Sequence, residues 1–149
     1  MKKYILMSII ALAIGVINIF AQDIPQSQVP SLVLNSFQQK YPKAYDVEWE
    51  LKGDLYKVEF EKSLLGDDVE VWFDKSGKVV RSKEEISKSE LPKAVLDKID
   101  AEFKASIIKD VEKFNENGII SYKVEIKTIR EEWDVLFDEK GNILSKKLD

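Results

Sequence analysis

The chain has 149 residues, 44% hydrophobic and 34% charged, which suits one compact domain or two small ones on a shared core and excludes a disordered composition. Its formal charge of −4 removes the basic face that phosphate binding requires, so nucleic acid is not an expected partner. Cysteine and histidine are both absent, which excludes disulfide staples, imidazole bases, Ser-His-Asp triads and the commonest zinc ligand.

The N-terminus, MKKYILMSIIALAIGVINIFAQD, carries Lys2 and Lys3, an apolar run from Tyr4 to Phe20 and a small residue at Ala21. The pattern is that of a secretory signal peptide over residues 1–21, cut after Ala21. The alternative is an uncleaved anchor, for which the run is short of the ~20 apolar residues of a spanning helix. Cleavage lowers the charge to −6 by removing both lysines, and leaves no membrane span.

A short segment, residues 22–28, leads into the first helix. In VPSLVLNSFQQKYP, Val29, Val33, Phe37 and Tyr41 recur every fourth residue. Such a set drifts by about 40° per step and makes a stripe about 120° wide, the core-facing side of an amphipathic helix. Pro30 fits the first turn, where its missing amide would have no intrahelical acceptor, and Pro42 stops the helix.

Three strand patterns follow. DVEWEL places Val47, Trp49 and Leu51 on one side; DLYKVEFE places Tyr56, Val58 and Phe60; VEVWFD places Val69, Val71 and Phe73. Lys52–Asp54 is the intervening turn. DKSGK, from Asp74, puts glycine where a hairpin loop needs a left-handed backbone and leads to a short fourth strand over 78–81. The charged stretch SKEEISKSE, Ser82 to Glu90, reads as a join.

The order then recurs. LPKAVLDKIDAEFK repeats the helical stripe with Leu91, Val95, Ile99 and Phe103, Pro92 stands in its first turn, and Ser89 is placed to cap it. KDVEKF, ISYKVEIK and EEWDVLFD repeat the strands, Asn115–Gly118 supplies a turn, and DEKGN leads to a last short strand over 142–145. The expected fold is α+β: a tandem repeat of a helix followed by three to four antiparallel strands, over 29–86 and 87–149, with the helices packed on one face of antiparallel sheet.

YPKAYDVEWE, DLYKVEF and VEVWFDKSGK, followed by the second LPKAV helix, SYKVEI and VLFDEKGN, resemble the PepSY-like proteins described as similar to β-lactamase inhibitors. The resemblance spans about 29–149. It implies a small exported protein of the bacterial periplasm with a tandem-repeat α+β fold, similar in architecture to inhibitors that present a sheet surface to their enzyme.

No chemistry is expected. The aspartate–glycine loops lack calcium-loop ligand spacing and place Lys75 and Lys140 where ligands would stand, so they read as capped hairpin turns, with no metal and no cofactor. Glu48 with Glu50, and Glu59 with Glu61, lie side by side on an open face rather than in a pocket that would separate their pKa values.

The outward phase of the strands collects Glu48, Glu50, Lys57, Glu59, Glu61, Glu70, Trp72 and Asp74 in the first half and Lys123, Glu125, Lys127, Glu132, Asp134 and Leu136 in the second. Tryptophan inside a polar rim is the makeup of an interface anchor. The other reading of Trp72 is cover for neighbouring methylenes or packing on the 62–68 loop. Trp49 and Trp133 fall in the inward phase.

The partner-binding set is Glu48, Glu50, Glu59, Glu70, Trp72 and Leu136. With it the chain is a non-enzymatic binding module engaging an envelope protein. The alternative is a structural or stress-related protein that binds small cationic species or calcium weakly through dispersed carboxylates.

Overall fold

The computed structural model describes residues 22–63 and 67–149; the expected signal peptide lies outside them. In chain order the elements are β1 (Gln22–Asp23), α1 (Ser31–Lys40), β2 (Tyr45–Lys52), β3 (Leu55–Glu61), β4 (Asp68–Phe73), β5 (Val79–Glu85), α2 (Lys93–Glu102), β6 (Ile107–Glu116), β7 (Ile119–Lys127), β8 (Glu132–Asp138) and β9 (Ile143–Leu148).

All nine strands form one antiparallel sheet in sequence order, each bonded to its chain neighbours. This topology corrects the expected fold class. The chain is not built as a tandem of helix-and-strand units; one continuous nine-stranded meander organises it, and two ten-residue helices interrupt the succession. Two misreadings hid the continuity. Residues Ser82–Glu85, whose charged sequence reads as part of a join, belong to β5, and they pair with β6 from Ser82↔Asn115 to Glu85↔Glu112. The last strand likewise runs on to Leu148 instead of ending at 145.

On one face of the sheet the alternating apolar residues gather in two clusters. The first joins Val29, Val33 and Phe37 to Trp49, Val58, Phe60, Val69, Val71 and Phe73, with Ile24 at its margin. In it Phe37 meets Trp49 and Phe60 edge-on, at centroid distances of 5.3 and 5.2 Å. The second joins Leu91, Val95, Ile99 and Phe103 to Val111, Tyr122, Val124, Ile126, Val135 and Phe137, with Trp133 half-buried beside it. Burial of each such side chain stabilises by about 1.5–3 kcal/mol, and with no cysteine this is the main stabilising term.

Helix ends follow from local chemistry, with one correction. Ser89 does not cap α2. Ser87 does the capping, one turn earlier, on the short 3-10 turn Lys88–Glu90: its side chain accepts from the Ser89 amide at 3.2 Å, and the Ser87 amide donates to Glu90 at 2.9 Å. Pro92 then stands at the N-cap of α2, as Pro30 does at that of α1.

The turns 74–78 and 138–142 are tied down twice. Asp74 Oδ1 accepts from the amides of Ser76 (2.9 Å) and Lys78 (3.1 Å), and Asp138 Oδ1 from those of Lys140 and Asn142 (both 2.9 Å). Gly77 and Gly141 have φ of +84° and +81°. They also lie against the first turns of the helices: a Cβ on Gly77 would stand 2.6 Å from the Leu32 carbonyl oxygen, and one on Gly141 would stand 2.4 Å from that of Ala94. Glycine is needed there for close approach as well as for backbone sign.

Candidate functional site

Pleating sends every second residue to the sheet's other face, away from the two clusters. There the strands carry charges of alternating sign, and the register brings them into contact. Glu50 stands opposite Lys57, Glu70 opposite Lys83, and Glu112 opposite Lys123. The remaining contacts are diagonal: Lys57 reaches Glu70 at 3.0 Å, Lys83 reaches Glu112 at 2.7 Å, and Lys123 reaches Asp134 at 3.3 Å. The result is a chain of ion pairs from β2 to β8 that crosses the β5–β6 seam.

Its deepest member is Lys57, 5% exposed, with Glu50 at 3.8 Å, Glu70 at 3.0 Å and Glu59 hydrogen-bonded to its ammonium. Burial works against that charge, but the hydrogen bonds to Glu59 and Glu70 outweigh it and hold Lys57 above the ordinary lysine value. For Glu70 burial pushes up, and the bond and charge of Lys57, with Lys83 behind it, bring the carboxyl below the ordinary glutamate value. Thus Glu50, Glu59 and Glu70 of the expected set converge on one lysine.

Trp72 is beside them but is not an open anchor. It retains 9% exposure, with the Lys57 ammonium 5.5 Å and the Arg81 guanidinium 4.7 Å from its ring centroid. Lys57 of β3 and Arg81 of β5 lie over the indole, so little of the ring reaches solvent.

Glu48 adjoins that group, opposite Glu59 in register, and Leu136 lies apart from it; each borders a depression. Glu48 lines one of about 330 Å³, with Glu59, Glu61, Asp68, Glu70 and Glu85 among its other walls. Nearby, burial and the charges of Asp110, Asp68 and Asp67 push the Glu85 carboxyl up. No three or more acidic side chains among the described residues are grouped so that they could hold a metal ion. Asp74 and Asp138 accept hydrogen bonds within their own turns, from the Ser76 hydroxyl and the Asn142 side-chain amide first and from the backbone amides next, and these bonds hold both carboxyls low.

Leu136 lines the other depression, of about 590 Å³, with Phe114 as its aromatic component and Arg81, Lys123 and Lys147 at its margin. Phe114, Arg81 and Lys83 were missed as face residues. The first was legible, because Glu112, Phe114 and Glu116 alternate with Val111; the other two lie in or beside the segment misread as a join. A Ser-x-x-Lys spacing occurs at Ser106 to Lys109, but it runs into β6 as extended chain and lacks the helical turn that brings residues three apart side by side.

A family model described as "Putative beta-lactamase-inhibitor-like, PepSY-like" matches residues 17–81 and 55–145. No curated protein matches the chain. Among solved structures, a BLIP-like protein from Bacteroides fragilis is 25% identical with a TM-score of 0.62, over 84% of this chain and 87% of that one. A DUF2874 family protein from Bacteroides uniformis is 23% identical with a TM-score of 0.62, over 80% and 88%. A protein from Bacteroides eggerthii whose description places it in the periplasm is 22% identical with a TM-score of 0.63, also over 80% and 88%. The chain belongs to the beta-lactamase-inhibitor-like, PepSY-like family.

Proposed function

We propose that this protein is a non-catalytic binding module of the bacterial envelope that engages a protein partner through the sheet face opposite its two apolar clusters. Export is supported by the N-terminal pattern of residues 1–21 and by the periplasmic description of the Bacteroides eggerthii neighbour. The observation that carries the reading is the ion-paired face itself. Seven strands hold it in fixed register, so a partner meets a surface whose side chains are already ordered and loses little entropy in docking. Glu48, Glu50, Glu59, Glu70, Trp72 and Leu136 belong to it, with Trp72 contributing through the side chains it supports.

The test is capture from an envelope extract with paired variants. Glu48→Lys with Glu59→Lys is expected to lose the partner, and Lys93→Glu with Lys98→Glu, on α2, is expected to keep it. Equal capture by both would overturn the proposal. If the partner is an enzyme, as the family description suggests, its turnover falls on adding the native protein and not on adding the face variant.

A second reading is weak, salt-sensitive binding of small cationic species or calcium through dispersed carboxylates, with no coordinating cluster among the described residues; the depression around Glu48, where the carboxylates outnumber Lys83, favours it. Calorimetry with calcium decides it: a salt-sensitive heat supports it, and none at millimolar calcium removes it.

A further inference from the structure

The depression around Leu136 differs in character from the rest of the face. Phe114 and Leu136 are half-buried and supply apolar surface, and Ile119, at the β6–β7 turn, is 75% exposed. Three cations and two carboxylates, Glu116 and Asp134, border it, and the cations are not equivalent. Lys123 is committed to Glu112 at 3.7 Å and Asp134 at 3.3 Å. Lys147 stands opposite Asp134 in register, but no ion pair reaches it among the described residues, and Asp134 is taken by Lys123.

Arg81 stands opposite Glu116, also without an ion pair among the described residues; its guanidinium lies over the Trp72 ring at 4.7 Å. A stacked guanidinium keeps its in-plane N–H donors free. Trp72 therefore positions Arg81 at the edge of an apolar hollow with its carboxylate-binding geometry unspent.

We infer that this depression receives an apolar side chain flanked by a carboxylate on the partner protein, the side chain against Phe114 and Leu136 and the carboxylate at Arg81 and Lys147. The inference rests on the sheet face being the partner surface, and it specifies the partner's chemistry there. Burying the side chain removes apolar area from water, and the carboxylate supplies Arg81 and Lys147 with an ion pair that neither makes among the described residues, although Glu116 and Asp134 stand opposite them. A basic side chain is repelled by both and is suited to the acidic depression around Glu48.

The test uses the ¹⁵N-labelled protein and two capped peptides, Gly-Phe-Asp-Gly and Gly-Phe-Lys-Gly, titrated by NMR. Expected are saturable shifts at the amides of Phe114, Ile119 and Leu136 with the aspartate peptide, and about tenfold weaker binding of the lysine peptide. Arg81→Gln should remove most of that preference, and Leu136→Glu should abolish both titrations while the distant amides of β3 stay unshifted. Trp72→Leu, which leaves Arg81 in place but unsupported, should weaken the aspartate peptide alone.

Equal affinities for the two peptides, or no saturable shift in the depression at millimolar peptide, would overturn the inference. If capture still fails with Glu48→Lys and Glu59→Lys but persists with Arg81→Gln and Leu136→Glu, the sheet-face reading stands and this assignment falls.

Discussion

Lys57 shows how a single residue orders the face. Its ammonium is nearly buried and surrounded by carboxylates, so its removal leaves Glu50, Glu59 and Glu70 facing one another. Lys57→Met is expected to destabilise the protein by about 1–2 kcal/mol in urea unfolding, a figure held down because the carboxylates keep contact with water. Adding Glu70→Gln should restore part of the loss. Glu70 itself is depressed in the folded state, so its contribution is present above the ordinary glutamate pKa of about 4.3 and is lost as pH falls through the lower folded value. Acid unfolding should accordingly have a shallower stability–pH slope below that point in Glu70→Gln than in the native protein. At this scale the sequence was legible in part. Strand phase placed Trp72 and the glutamates on the outer face, but whether an outward tryptophan is open or covered depends on Lys57 and Arg81, which neighbour it only across strands.

Elements were legible wherever one face is buried and the other wet. The helical stripes and the strands of both clusters announce themselves in this way, and the turns by their glycines. β5 did not, for a physical reason: it lies at the margin of the first cluster, and no residue of Arg81–Glu85 belongs to either cluster, so its sequence RSKEE has no apolar alternation to detect. The glycines make a discriminating prediction. The four glycines among the described residues all have positive φ, but a Cβ at Gly53 or Gly118 meets nothing within 4 Å, whereas at Gly77 and Gly141 it collides with helix backbone. Gly118→Ala is expected to cost about 1 kcal/mol of backbone strain alone, and Gly141→Ala about 3 kcal/mol or more, as the separation between their thermal midpoints would show. Equal effects would mean that the helices do not press on the hairpins.

Taken whole, the molecule has two apolar clusters with no residue in common and one sheet that spans them. Sequence patterning sees clusters, because they are made of periodic apolar residues, and so it divides the chain in two. It does not see a strand pairing made by polar residues, which is what unites them. The link is the β5–β6 ladder, reinforced by Lys83 between Glu70 and Glu112. Lys83→Glu, which sets three carboxylates together at the seam, is expected to lower stability by about 1–2 kcal/mol in urea and to weaken seam protection first. The continuity of the outer face, and with it a single docking surface, depends on that pairing. Native-state hydrogen exchange of the amides bonded between β5 and β6 tests it most directly. Those amides should exchange with an opening free energy close to that of the β3 and β7 amides. Exchange orders of magnitude faster at the seam, with both clusters still protected, would show two separately opening halves and contradict the continuous sheet.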